Sequence, residues 1–186
     1  LVAAELGCRQ EEVAVASTGV IGVNLPMEKL ARGIKSIVPQ LKEDGGFDAA
    51  SAILTTDTFR KEYAVEFQLD GKTVRIGGMT KGSGMIHPNM ATMLAFITTD
   101  AAIDSSLLEQ ALREATARSF NMISVARDSS TNDMVLAMAN SLAGNERITA
   151  KGEAYRAFSE ALGEVATQLA KLIARDGEGA TKLVEV

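Results

Sequence analysis

A single apolar stripe runs through the segment from about Lys151 to Ala174. Phe158, Leu162, Val165, Leu169 and Leu172 step by four, three, four and three residues. That spacing puts all five on one face of a long α-helix, and such a face needs an apolar surface to lie on. Ala64–Leu69 and Lys72–Ile76 flank Asp70-Gly71, a pair suited to the left-handed backbone of a two-residue hairpin turn. Glu12–Ser17, Ala52–Thr58, Met93–Thr98, Met122–Ala126 and Thr181–Val186 also read as strands. Met134–Ala139 is apolar and fits either a strand or a helix. Two further helices are expected. One begins at Pro26 and runs through Lys42 with Leu30, Ile34, Ile37, Val38 and Leu41 on its core face, ended by Gly45-Gly46. The other begins with Ser106 and Glu109 as a capping box and continues to about Phe120. Strands alternating with amphipathic helices give an α/β fold.

Composition narrows the function classes. Apolar residues make up 46% of the 186, enough for a packed core. A net charge of -5 and the absence of tryptophan argue against a nucleic-acid surface or an anionic membrane as partner. No apolar run approaches the roughly 18–20 residues that cross a bilayer. Cys8 is the only cysteine and excludes an internal disulfide, which fits a reducing compartment. One histidine and one cysteine, far apart, argue against a metal site. Leu1–Leu6 reads as the tail of a helix and Thr181–Val186 as a strand in progress, so we expect a piece of a longer protein.

The chemistry concentrates in Lys81-Gly-Ser-Gly-Met-Ile-His-Pro-Asn-Met-Ala91-Thr92, just ahead of the apolar run from Met93. Its lysine precedes the glycine instead of following one, so it lacks the order of a phosphate-binding P-loop. His87 reads as structural, positioning the loop with Pro88. A hydroxyl at the mouth of a strand, behind a small residue, suits self-cleavage. Thr92 Oγ attacks the Ala91 carbonyl, the acyl group shifts from N to O, and water releases a new N-terminus. Thr92 then carries a hydroxyl nucleophile and its own α-amine as base. Ala-Thr before an apolar run also begins many ordinary strands.

This stretch, continued through Met93-Leu-Ala-Phe96, closely resembles the self-cleavage segment of the glutamate N-acetyltransferase/ornithine acetyltransferase family of arginine biosynthesis. Asp128-Ser-Ser-Thr-Asn-Asp133 resembles another segment of the family, with Ala126-Arg127 and Ser129 as departures. The likeness covers nearly the whole chain and implies a central fragment of a protein roughly twice as long. It implies one catalytic-core fragment, 1–186, divided at Ala91/Thr92 into the C-terminal part of an α chain (1–91) and the N-terminal part of a β chain (92–186). It also implies layered mixed β-sheets flanked by helices, of the N-terminal-nucleophile kind.

The same resemblance assigns roles. Thr18 and Gly19 become an oxyanion hole, where each donor contributes roughly 3–4 kcal/mol to the transition state. Thr55 (with Thr56 as the alternative), Lys81, Thr92 and Glu178 become substrate-binding residues. Lys81 would meet a substrate carboxylate, and Glu178 the amino group of ornithine or glutamate. The implied reaction is ping-pong transfer of acetyl from N-acetylornithine to glutamate through acetyl-Thr92. It needs no cofactor, leaves open whether acetyl-CoA serves as a further donor, and runs in the cytoplasm in an α2β2 assembly. Two other readings stand beside it: an N-terminal-nucleophile aminopeptidase or amidase passing the acyl group to water, and a non-catalytic fragment.

Overall fold

The computed structural model describes residues 1–87, 93–126, 128 and 130–186, and they form two compact units, Leu1–Ala49 and Ala50–Val186. The proposed cleavage pair Ala91 and Thr92 lies outside the described residues.

The first unit is helical. It holds α1 (Val2–Leu6), a 3-10 turn at Gln10–Glu12, α2 (Met27–Ile37) with a 3-10 turn at Val38–Gln40, and the start of α3 (Gly46–Ala52). The strand expected at Glu12–Ser17 does not form. After the 3-10 turn, residues 13–20 have no regular structure, and Val15 is 78% exposed. Alternation alone gives a strand no partner, and this unit contains no other strand for its backbone to pair with. Pro26 does precede a helix, although no residue of α2 is buried, so its expected core role is not realised.

The second unit is an α/β layer. A four-stranded mixed sheet runs in the order β1 (Lys61–Leu69), β2 (Lys72–Lys81), β3 (Leu94–Thr99), β4 (Met134–Ala139). β1 and β2 form the expected hairpin, with Leu69 opposite Lys72. Asp70 and Gly71 take φ of 51° and 71°, the left-handed pair that matches the twist of the strands. β3 pairs antiparallel with β2 and parallel with β4. A parallel neighbour needs a crossover, and α4 (Ser105–Ala117) lies within it. Met134–Ala139 is thus a strand.

The long stripe becomes α5 (Glu153–Arg175), which packs on β1, β2 and α4. Phe158, Leu162, Val165 and Leu169 are fully buried against Val74, Ile76 and Ile97. Ile173, not Leu172, completes the stripe. Each such side chain contributes about 1.5–3 kcal/mol by leaving water. A Cβ at Gly78 would stand 2.8 Å from Leu169 Cδ1, 3.2 Å from Ile97 Cγ1 and 3.3 Å from the Phe96 carbonyl oxygen. Only glycine lets the helix lie this close to β2. Gly78→Val is expected to destabilise the fold by about 1–3 kcal/mol through overpacking. A urea midpoint equal to that of the parent would refute this.

Several local expectations fail for one physical reason: a neighbour other than a ladder takes the backbone's hydrogen bonds. Residues 53–60 form turns and bends after α3 instead of a strand. There the Thr55 and Thr58 amides donate to the carboxylates of Asp57 and Asp176. Phe120–Met122 is a 3-10 turn, and the amides of Val125 and Ala126 both donate to the Ile86 carbonyl, at 2.9 and 3.0 Å, so no strand forms at 122–126. Thr181–Val186 is exposed and unpaired with any strand. α4 starts one residue early and ends at Ala117. Its N-cap is Asp104, without a side-chain cap bond, and Glu109 instead pairs with Arg113 at 2.7 Å. Among the described residues no helix is long and apolar enough to cross a membrane.

Candidate active site

The site lies at the end of the sheet where β2 finishes, β3 begins and α5 ends. Lys81, Leu94 and Met134 stand abreast there on β2, β3 and β4. Met93, the residue that follows Thr92 in sequence, donates its amide to Asp133 Oδ1 at 2.8 Å. Its carbonyl accepts the Met134 amide at 3.2 Å. The loop past Lys81 needs glycine at its first position. Gly82 has φ 145°, a conformation L side chains rarely adopt. At Gly84 a Cβ would run into Oε2 of Glu178.

Beneath this loop lies a buried ion cluster. The Lys61 ammonium, fully shielded from solvent, donates to Asp57 Oδ1 at 2.6 Å and to Asp176 Oδ2 at 2.5 Å. It also stands 4.9 Å from the centre of the Phe59 ring. Asp176 accepts the Thr58 amide at 2.9 Å and a very short bond from the Thr58 hydroxyl. Asp57 accepts the Gly82 amide at 2.7 Å and the Thr55 amide at 3.1 Å. Burial alone pushes both carboxyl groups up. Hydrogen bonds outweigh it, from Lys61, Gly82 and Thr55 at Asp57 and from Lys61 and Thr58 at Asp176, and together with the Lys61 charge they hold both groups below the usual carboxylate range.

Lys81 differs from Lys61. It is only 3% exposed, and among the described residues it has no ion-pair partner. Burial lowers its pKa, the Asp57 charge works against this, Lys61 adds to it, and Asp133 opposes it; the net direction is down. Asp133 moves the other way. Burial raises it above the usual range despite the Met93 amide, the Lys81 charge and a bond with Ser130. A desolvated ammonium without a close counter-ion is a receptor for an anion.

Three of the expected substrate residues meet here. Lys81 ends β2. Thr55 donates its amide to Asp57, while its alternative, Thr56, shares a 2.6 Å hydroxyl–hydroxyl bond with Ser83 of the glycine loop. Glu178 donates its amide to the Ser83 carbonyl at 2.6 Å and lays its carboxylate over Gly84. Thr18 and Gly19 belong to the first unit, where Thr18 is half-buried and Gly19 exposed in irregular backbone. Thr92 lies outside the described residues, and so does Pro88. His87 Nδ1 is buried without a hydrogen-bond partner among the described residues.

Asp57, Lys61, Asp133 and Asp176 were not singled out from the sequence. One signal was present for Asp176. A carboxylate at the C-terminal end of a helix opposes the helix dipole, and so implies a partner elsewhere. That partner, Lys61, is 115 residues away in sequence.

Residues 1–186 match the ArgJ family over their whole length. The chain is 62% identical over 186 residues to the arginine biosynthesis bifunctional protein ArgJ of Symbiobacterium thermophilum and 56% identical to that of Geobacillus kaustophilus. It is covered completely in both cases, against 46% and 45% of those proteins. A crystal structure of arginine biosynthesis bifunctional protein argJ from Bacillus halodurans aligns with 47% of this chain and 41% of its own, at 52% identity and a TM-score of 0.45. The chain therefore spans about half the length of the curated relatives it matches, and it belongs to the ArgJ family.

Proposed function

We propose that the protein carrying this chain is an acetyltransferase of arginine biosynthesis that cuts itself between Ala91 and Thr92 and moves acetyl from N-acetylornithine to glutamate. The observation that carries the reading is the buried ammonium of Lys81, which has no ion-pair partner among the described residues and stands beside the start of the strand that follows Thr92. Both substrates are amino acids bearing a carboxylate, and an anion here relieves the desolvated charge. Glu178, close to the same loop, supplies the complementary charge for their amino groups.

In this reading the chemistry runs through Thr92. The free α-amine of Thr92 is basic enough to take the Oγ proton and weak enough to be partly neutral near neutral pH. Oγ attacks the acetyl carbonyl, the oxyanion is held by Thr18 and Gly19, and the C–N bond breaks. Ornithine leaves with the proton and acetyl-Thr92 remains. The glutamate amino group then attacks the ester, gives up a proton, and restores the hydroxyl. Thr55, or its alternative Thr56, borders the substrate. Acetyl-CoA is a second donor in this reading, no cofactor is required, the products 1–91 and 92–186 belong to the α and β chains of an α2β2 enzyme, and the setting is the cytoplasm.

Lys81→Ala tests the carrying observation. The KM for N-acetylornithine is expected to rise about tenfold or more, the effect of losing one charge-assisted bond of about 1.5–3 kcal/mol, with a smaller change in kcat. Steady-state kinetics with glutamate against water as acceptor measures this and separates transferase from amidase. An unchanged KM removes Lys81 from the site.

A further inference from the structure

Asp57 does not face a ligand. Its side chain is wholly shielded from solvent, and its oxygens are taken up by Lys61, Gly82 and Thr55. Each of those bonds leads to a segment that carries a substrate residue. The Thr55 amide belongs to the first. The Gly82 amide is one residue beyond Lys81. Lys61 continues to Asp176, two residues before Glu178. The Glu178 amide then returns to the carbonyl of Ser83, next to Gly82. These bonds close a ring, Asp57 to Gly82-Ser83 to Glu178, back through Asp176 and Lys61 to Asp57. Thr56 braces it through its hydroxyl bond to Ser83.

The energetics are unusual for a part serving stability alone. Two buried carboxylates share one buried lysine, and well-packed apolar side chains often do as well or better in such places. What the charged ring adds is fixed geometry. Charge-assisted bonds have narrow distance and angle ranges, and they hold three separate loops at set spacings.

We propose that Asp57 is the positioning residue of the substrate site, acting through the Gly82 and Thr55 amides and through Lys61 to set the spacing of Lys81, Thr55 and Glu178. This rests on the acetyltransferase reading above. Asp57 touches no reacting atom. It fixes the distance between the cation that takes the substrate carboxylate and the carboxylate that takes its amino group. Asp57→Asn keeps the size of the side chain and removes the charge that holds Lys61.

The test uses the whole protein that carries this chain, purified as wild type, Asp57→Asn, Asp176→Asn and Phe158→Leu, the last a core change remote from the ring. Each is checked for self-cleavage by mass spectrometry, for melting temperature, and for kcat and KM with N-acetylornithine and glutamate. Asp57→Asn is expected to raise both KM values about tenfold, because small misplacements of binding groups are costly, with kcat within about threefold. Asp176→Asn is expected to move KM the same way by less, and it decides the matter if Asp57→Asn does not fold. Phe158→Leu is expected to lower the melting temperature with KM unchanged. KM values unchanged in both ring variants, or raised equally by Phe158→Leu, overturn the positioning role. Acetyl transfer by the wild type keeps that failure separate from failure of the functional reading. A wild type that transfers no acetyl to glutamate overturns both.

Discussion

Thr92→Ala is expected to give an intact chain and no acetyl transfer above background. The substitution removes the hydroxyl proposed to attack the Ala91 carbonyl, so no new N-terminus forms and the α-amine base is never released. In the proposed reaction the same hydroxyl is the acyl carrier of the transfer step, so the two losses are coupled. Removing a nucleophile that works as a unit with its base lowers turnover by about 10⁴-fold or more. Denaturing intact-mass spectrometry reads the first effect. Wild type gives two species divided between residues 91 and 92, and the variant gives one. An assay of acetylglutamate formation reads the second. Transfer that persists in the uncut variant refutes Thr92 as nucleophile.

Lys61→Met is expected to be the most destabilising single change in the ion cluster. It keeps an unbranched apolar stem and leaves Asp57 and Asp176 buried with no cation between them. Losing one member of a buried ionic group in this way costs about 3–5 kcal/mol. The pH dependence has a definite sign. Both carboxyl groups lie below their usual range in the folded protein. They therefore contribute stability that is present above about pH 4, the ordinary carboxylate region, and is lost as pH falls through their folded values. In the variant, burial is no longer offset by the lysine, and the carboxyls protonate more readily. The gap between wild type and variant is thus widest near neutral pH and narrows in acid. Urea unfolding from about pH 7 down to about pH 3 measures it. A gap under about 1 kcal/mol, or one independent of pH, contradicts a structural role for the charges.

What was legible in the sequence was what short-range physics decides. Asp70-Gly71 announces its hairpin because the turn needs positive φ at both positions. The α5 stripe announces a helix on a surface because a step of four and three residues fits no strand. Segments whose state depends on distant neighbours misled. Ala52–Thr58 and Met122–Ala126 have strand composition, yet their amides go to Asp57, Asp176 and the Ile86 carbonyl instead of to a ladder. Glu12–Ser17 alternates correctly with nothing in its own unit to pair with. The proposed substrate residues Thr55, Lys81 and Glu178 were reached through the resemblance of their surroundings to a known family, and the structure gathers those three. The residues that hold them, Asp57, Lys61 and Asp176, carry no sequence signal of their own, because Asp176 bonds to Thr58 and Lys61, 118 and 115 residues away, and Asp57 reaches across 25 residues to Gly82. Asp57 looked like an ordinary turn residue, and only its neighbours in space distinguish it.

The sheet order has a consequence for the product of the proposed cut. β2 lies before the Ala91–Thr92 bond and β3 after it, yet they are adjacent, laddered from Ile76–Thr99 to Lys81–Leu94. α5, from the later piece, lies across β1 and β2 of the earlier one. Breaking the bond therefore nicks a woven object without parting it. The two polypeptides share one interior, neither holds a complete half of it, and they can separate only by unfolding. The nicked protein should migrate as a single particle in native conditions and melt in one transition.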